Sequence, residues 1–100
     1  MIFTSENTTL TLSSDLREVE ITLKVTSDGN FHLDLPRPTD QTKVLMLKMH
    51  EESVESFNLE VDSSNALFDS LVLKNPKSAC RLESKGDKWS FRGGVHINLN

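Results

Sequence analysis

Three histidines, His32, His50 and His96, are the side chains in this sequence best suited to metal or acid–base chemistry. His32 and His96 each stand two residues before a polar oxygen donor, Asp34 and Asn98. An extended chain puts residues two apart on one face. If the two segments paired, imidazoles and a carboxylate would gather there, and three N/O ligands with an open fourth position suit zinc. The same spacing arises on any strand face, however. The expectation is therefore three solvent-facing histidines, no metal and no cofactor.

The remaining nucleophiles carry less signal. Cys80 is the single cysteine, so no intrachain disulfide forms, and its alternation with Leu82 marks it as a small packed apolar side chain. Arg81, next to it in sequence, points to the opposite strand face, so the thiol lacks the exposed electropositive setting that activates cysteine. No serine stands in a G-x-S-x-G elbow. Gly93-Gly94 precedes a strand rather than a helix, which is not the context of a phosphate loop. Glu51 and Glu52 sit together in an acidic loop, whereas acid–base catalysis needs carboxylates in contrasting environments. No catalytic residue is assigned, and the protein is expected not to be an enzyme.

Charge is distributed unevenly. The formal net charge is −4, from 15 acids and 11 bases, which gives no bias toward nucleic acid or anionic membrane. Between Lys48 and Lys74 stand Glu51, Glu52, Glu55, Glu60, Asp62 and Asp69 with no base among them. From Lys74 to Arg92, Lys74, Lys77, Arg81, Lys85, Lys88 and Arg92 outnumber Glu83 and Asp87. Three readings compete. The stretches neutralise each other across adjacent strands. Or they form complementary patches, with Glu51, Glu52 and Glu55 on one side and Lys85, Lys88 and Arg92 on the other, pairing with a partner or a second copy. Or the basic stretch, with Trp89 and Phe91, stacks on single-stranded nucleic acid. The third is disfavoured, because both aromatics share the face opposite Lys88 and Arg92, as core residues do.

The elements that must position these residues are strands. Lys43–His50 (KVLMLKMH) is the most apolar short run, and it reads as an inner strand covered on both faces for part of its length. Val19–Val25 alternates, with Val19, Ile21, Leu23 and Val25 inward. Ser27-Asp28-Gly29-Asn30 is a tight-turn signal, and Phe31–Leu35 alternates again, so the two segments are expected to form a hairpin. Thr8–Leu12, Phe57–Val61, Leu71–Leu73, Ala79–Glu83, Trp89–Arg92 and Val95–Leu99 complete the strands, with Met1–Thr4 a further edge strand or a loose end. The last two are separated, or bent, at the diglycine. Thr8–Leu12 and Val95–Leu99 are the expected edges, open to strand addition. Ser13-Ser14-Asp15 is a turn, Glu51–Ser56 an acidic loop or single helical turn, and Ala66–Asp69 the one plausible helical turn.

Short alternating strands with turn chemistry between them read as one all-β domain over residues 1–100. The expected architecture is an antiparallel β-sandwich, with a jelly-roll-like or partly closed barrel as variant. No run approaches the roughly 18 apolar residues of a membrane span. The N-terminus lacks the basic and apolar regions of a secretion signal. An intracellular setting is therefore expected, and the Asn7-Thr8-Thr9 glycosylation triplet carries no weight. The functional expectation is a non-enzymatic protein-binding or assembly module, acting by surface complementarity on a protein partner or on itself. The alternatives are a small-molecule or carbohydrate-binding domain using its end loops and, third, a metal-dependent enzyme.

Overall fold

The computed structural model describes residues 1–4, 8–12, 15–54 and 56–99. Asn7 of the acceptor triplet, Ser13 and Ser14 of the turn, and Glu55 of the acidic patch lie outside the described residues. The strands are β1 (Ile2–Phe3), β2 (Thr8–Thr9), β3 (Glu18–Val25), β4 (Gly29–Asp34), β5 (Val44–Met49), β6 (Phe57–Asp62), β7 (Leu71–Leu73), β8 (Ala79–Lys85), β9 (Lys88–Val95) and β10 (Ile97–Leu99). They form two five-stranded sheets, ordered β1-β3-β5-β8-β9 and β10-β7-β6-β4-β2. The described residues contain no helix. Ala66–Asp69, expected to be a helical turn, instead places Ala66 in an isolated parallel bridge with Trp89.

Both sheets are mixed, which corrects the antiparallel expectation. From β1 to β6 the chain visits the two sheets alternately. The pairs β1–β3 and β3–β5 in the first sheet, and β2–β4 and β4–β6 in the second, are therefore parallel. The remaining pairs, β5–β8, β8–β9, β6–β7 and β7–β10, are antiparallel. Each sheet ends in two different edge strands, so the sheets do not close into a barrel.

The expected Val19–Val25/Phe31–Leu35 hairpin does not form. β3 lies between β1 and β5 in the first sheet, and β4 between β2 and β6 in the second. Thr26–Asp28 carries the chain from one sheet to the other, and β4 begins at Gly29, whose φ of 144° is open to glycine alone. Alternation marks which face is buried, and that part holds: Leu23, Val25, Phe31, Leu33 and Leu35 are buried, and Val19 and Ile21 half-buried. They join Leu45, Leu47 and Met49 of β5, Leu59 and Val61 of β6, Leu71 and Leu73 of β7, and Cys80, Leu82 and Trp89 in one core cluster drawn from both sheets. A fully buried leucine contributes about 1.5–3 kcal/mol relative to exposure.

β5 is an inner strand, flanked by β3 and β8. Its second face is not covered as expected, since Met46 and Lys48 are exposed and Val44 is half-buried. The tail is two strands in different sheets, divided at His96 and not at Gly93-Gly94 as expected, since the diglycine and Val95 lie within β9. β8 and β9 turn through Gly86-Asp87, with Lys85 opposite Lys88 and a φ of 68° at Gly86, as a tight two-residue loop with glycine first requires. The β8–β9 register then slips, so that Leu82 faces Phe91 but Arg81 faces Gly93, leaving Arg92 as the extra residue of a bulge. A Cβ at Gly94 would lie 2.6 Å from the Ala79 carbonyl oxygen, so only glycine fits there. The chain changes sheet at His96, whose φ is 52°. As expected, the Thr8–Leu12 and Val95–Leu99 segments supply edge strands, β2 and β10, although only Thr8–Thr9 of the former is strand.

Buried hydroxyls pin the crossings. Ser53 Oγ accepts from the Val25 amide (3.1 Å), and Thr42 Oγ1 donates to the Leu16 carbonyl (2.7 Å). Ser78 Oγ accepts from the amides of Lys74 and Asn75 (3.1 and 3.2 Å) and donates to the His96 carbonyl (2.5 Å).

Candidate functional site

β4 and β6 run parallel and in register, Asn30 beside Asn58, His32 beside Glu60 and Asp34 beside Asp62. Their odd-numbered residues from 31 and 57 on are buried, so these six polar side chains share the opposite face. Asn58 Nδ2 donates to Asn30 Oδ1 (3.0 Å). Diagonally, the His32 Nε2 meets Asp62 Oδ1. His32 Nδ1 is buried without a hydrogen-bond partner. A proton on Nε2, donated to the carboxylate, leaves only a lone pair unsatisfied at Nδ1, which costs less than an orphaned N–H.

One ligand-type atom from each of His32, Glu60 and Asp62 lies within 4.8 Å of the other two. Beside them an open depression of about 430 Å³ is lined by His32, Asp34, Asp62, Ser63, Ser64 and Asp69. That lining holds three carboxylates and no lysine or arginine. Asp34 and Asp62, side by side across the strands, repel each other, as like charges opposite one another in a sheet do. Because β4 and β6 are both flanked on each side by other strands, the backbone that presents these groups is held in place. The set can accept protons, hold the imidazole by a carboxylate, or offer mixed nitrogen and oxygen donors to a cation.

The three histidines do not come together. His50 follows β5, where its Nδ1 accepts from the Glu52 amide (3.0 Å), and His96 forms the corner between β9 and β10. His32 finds its carboxylates on β6 rather than only on its own strand. The two segments are alike, GNFHLD and FNLEVD sharing Asn at the second position, Asp at the sixth and apolar residues at the third and fifth, but that likeness does not specify that they pair. Stacked in register, they make the observed ladder.

Only parts of the charged stretches lie at opposite ends of the first sheet, since Glu60 and Asp62 belong to β6 in the second sheet and Lys74 and Lys77 precede β8 at the Glu51–Glu52 end. The β5–β8 register puts Lys48 beside Ala79 and Val44 beside Glu83. Glu51 and Glu52 therefore follow one end of β5, while Lys85 and Lys88 flank the turn beyond the other. Lys24 Nζ lies 3.1 Å from Glu52 Oε2, and this hydrogen bond, with the Lys24 charge and then that of His50, holds the Glu52 carboxyl below its ordinary range. Arg92 Nε and Arg81 Nη2 both reach Glu83, at 3.0 and 3.4 Å. Among the described residues, no ion pair joins the 51–69 stretch to the 74–92 stretch.

Trp89 is fully buried and donates from Nε1 to the Pro36 carbonyl (2.9 Å), so its ring offers no platform for bases. Burial also pushes the Cys80 thiol up to about 12, against a smaller opposing effect of a backbone hydrogen bond from Leu47. That thiol is a packed side chain, not a nucleophile at neutral pH.

Exposed large apolar residues lie at sheet margins, in loops and, for Met46, on the inner strand β5. Among the described residues seven are exposed: Met1, Ile2, Leu16, Met46, Leu67, Val95 and Leu99. Ile2, Val95 and Leu99 lie on edge strands β1, β9 and β10, and Met1 adjoins β1. The outer edge of β9 is partly covered: the Trp89 amide donates to the Asn65 carbonyl (2.7 Å) and the Leu67 amide to the Trp89 carbonyl (2.8 Å). No helix is long and apolar enough to cross a membrane among the described residues. Comparison with protein-family models gives no match, and comparison with curated proteins gives none at a significant level.

Proposed function

We propose that the protein is a non-enzymatic binding and assembly module that joins a protein partner or a second copy through its open sheet edges. We also read the two sheets as stacked face to face in a sandwich, which their shared core cluster supports. In that arrangement the edges form the flanks of the molecule.

The observation that carries the functional reading is the exposure of apolar side chains on the edge strands, Ile2, Val95 and Leu99. Ile2 is 65% exposed on β1, and Leu99 is 45% exposed on β10. Apolar residues beside unpaired strand amides and carbonyls favour pairing with another strand. The short β1, β2 and β10 limit this to a few hydrogen bonds per edge, which suits a reversible contact rather than runaway aggregation. Glu51 and Glu52 at one end of the first sheet and Lys85 and Lys88 at the other would orient the approach and set its salt dependence.

The test uses sedimentation over a concentration series, with affinity capture from the native host. Self-association or a captured partner is expected with the unaltered chain. Leu99→Lys or Ile2→Lys should weaken it, because a charged edge opposes strand addition. A monomer at every concentration with no captured partner, or association indifferent to both substitutions, would remove the reading.

A further inference from the structure

We propose that His32, Glu60 and Asp62 form a binding site for a divalent transition-metal cation, zinc. The proposal stands apart from edge pairing, since the site lies on the face of inner strands.

The first ground is the donor set. One imidazole and two carboxylates converge, with a ligand atom of each within 4.8 Å of the others. Zinc takes such nitrogen and oxygen ligands at about 2.0–2.2 Å, so an ion would sit among these atoms once His32 Nε2 and Asp62 Oδ1, now in direct contact, move apart to admit it. Imidazole favours zinc and its neighbours over magnesium and calcium, which prefer oxygen throughout. Solvent from the adjoining depression would take the fourth position.

The second ground is preorganisation. In-register pairing of β4 with β6 sets His32 beside Glu60 and Asp62 one step along the ladder. The sites that hold a metal best draw ligands from rigid elements, and both strands are internal to their sheet.

The third ground is charge. Asp34, Asp62 and Asp69 line the depression with no lysine or arginine, and Glu60 stands next to His32. A dication relieves the repulsion between Asp34 and Asp62, which face each other in the ladder. One feature limits the affinity. Coordination through Nε2 displaces the hydrogen bond to Asp62 and shifts the imidazole proton to Nδ1, which is buried without a partner. Ligating histidines ordinarily donate from their second nitrogen. Binding about 10- to 100-fold weaker than at a site with that second hydrogen bond is therefore expected.

The test is calorimetric titration of the chelator-dialysed protein with zinc chloride at neutral pH, with circular dichroism and thermal melts on every variant. One zinc per chain should bind and raise the melting temperature, as any ligand selective for the native state does. His32→Ala and Asp62→Asn should each weaken binding by about tenfold or more, the scale on which metal sites respond even to loss of supporting groups. His50→Ala should leave it unchanged. Should His32→Ala fail to fold, Glu60→Gln on the exposed strand face decides: tenfold weaker binding supports the site, and unchanged binding overturns it. Absence of zinc binding up to millimolar concentration would overturn the proposal. So would native-like affinity in folded His32→Ala and Asp62→Asn, or tighter binding of magnesium or calcium than of zinc.

Discussion

Replacing Ser78 with alanine tests how the candidate edge β10 is held. The Ser78 hydroxyl is buried and serves three backbone groups: it accepts from the Lys74 and Asn75 amides and donates to the His96 carbonyl. It thus ties the β7–β8 turn to the corner where the chain leaves the first sheet. Alanine removes all three contacts at once. A buried group left without a partner costs about 1–3 kcal/mol. Lys74 is exposed and Asn75 half-buried, so water recovers part of the loss and the lower bound applies. Three groups at about 1 kcal/mol each give roughly 3 kcal/mol. For a domain of this size that corresponds to a fall in melting temperature of roughly 12–24 °C. Urea unfolding followed by the fluorescence of Trp89, the single and fully buried tryptophan, measures it directly, with exposed Ser64→Ala as the reference. Hydrogen exchange at Ile97–Leu99 should accelerate by more than the global loss explains, because the His96 carbonyl is freed. A loss under about 0.5 kcal/mol, no larger than for an ordinary surface substitution, would show that Ser78 does not anchor the corner.

Two further outcomes follow from pairing and burial. A Thr22→Cys, Lys48→Cys pair should cross-link readily, since both residues are exposed and neighbours in the parallel β3–β5 ladder; a Thr22→Cys, Asp34→Cys pair, adjacent only in a β3–β4 hairpin, should not, and the reverse pattern on non-reducing gels would refute the winding. Cys80 should resist a thiol reagent at pH 8 until the protein unfolds. Its thiol holds its proton to about 12 in the folded state, against 9.0 for an unperturbed thiol, so the unfolded chain binds fewer protons between those values. Stability should fall as pH rises through that window, and a Cys80→Ala variant should lose this slope; fast labelling of the native protein would contradict the burial.

What the sequence makes legible is inwardness. Leu23, Val25, Phe31 and Leu33 alternate with polar residues, and each is buried. The same holds for the packed Cys80 and for Trp89, whose face was recognisable as core. Partnership was not legible. Two consecutive strands show the same period whether they pair edge to edge across a tight turn or pass from one sheet to another over a shared core. Ser27-Asp28-Gly29-Asn30 supports either, because glycine tolerates both the positive φ of a tight hairpin turn and the φ of 144° that Gly29 adopts in the crossing. Nor does the turn chemistry disclose that β5 completes a parallel pair with β3, since pairing between distant segments leaves no local mark.

The candidate site depends on that illegible part. In a hairpin with Val25 opposite Phe31, His32 would stand beside Lys24 and Asp34 beside Thr22. An imidazole next to an ammonium and a carboxylate next to a hydroxyl make an ordinary solvated strand face, which is what the histidine spacing alone implies. Winding from sheet to sheet instead gives Lys24 to Glu52 and brings His32 to Glu60 and Asp62. The donors were all present in the sequence; what assembles them is the placement of GNFHLD beside FNLEVD. Any perturbation that shifts the β4–β6 register by one residue turns Leu33 or Phe31 outward and buries His32. The core that fixes the register therefore also fixes the ligand geometry, and metal affinity should report on it. A substitution such as Leu33→Ala, which leaves every proposed ligand in place but loosens the strand packing by about 2–5 kcal/mol, should therefore weaken zinc binding. Unchanged affinity in that variant, measured while it remains folded, would mean that backbone pairing alone holds the triad.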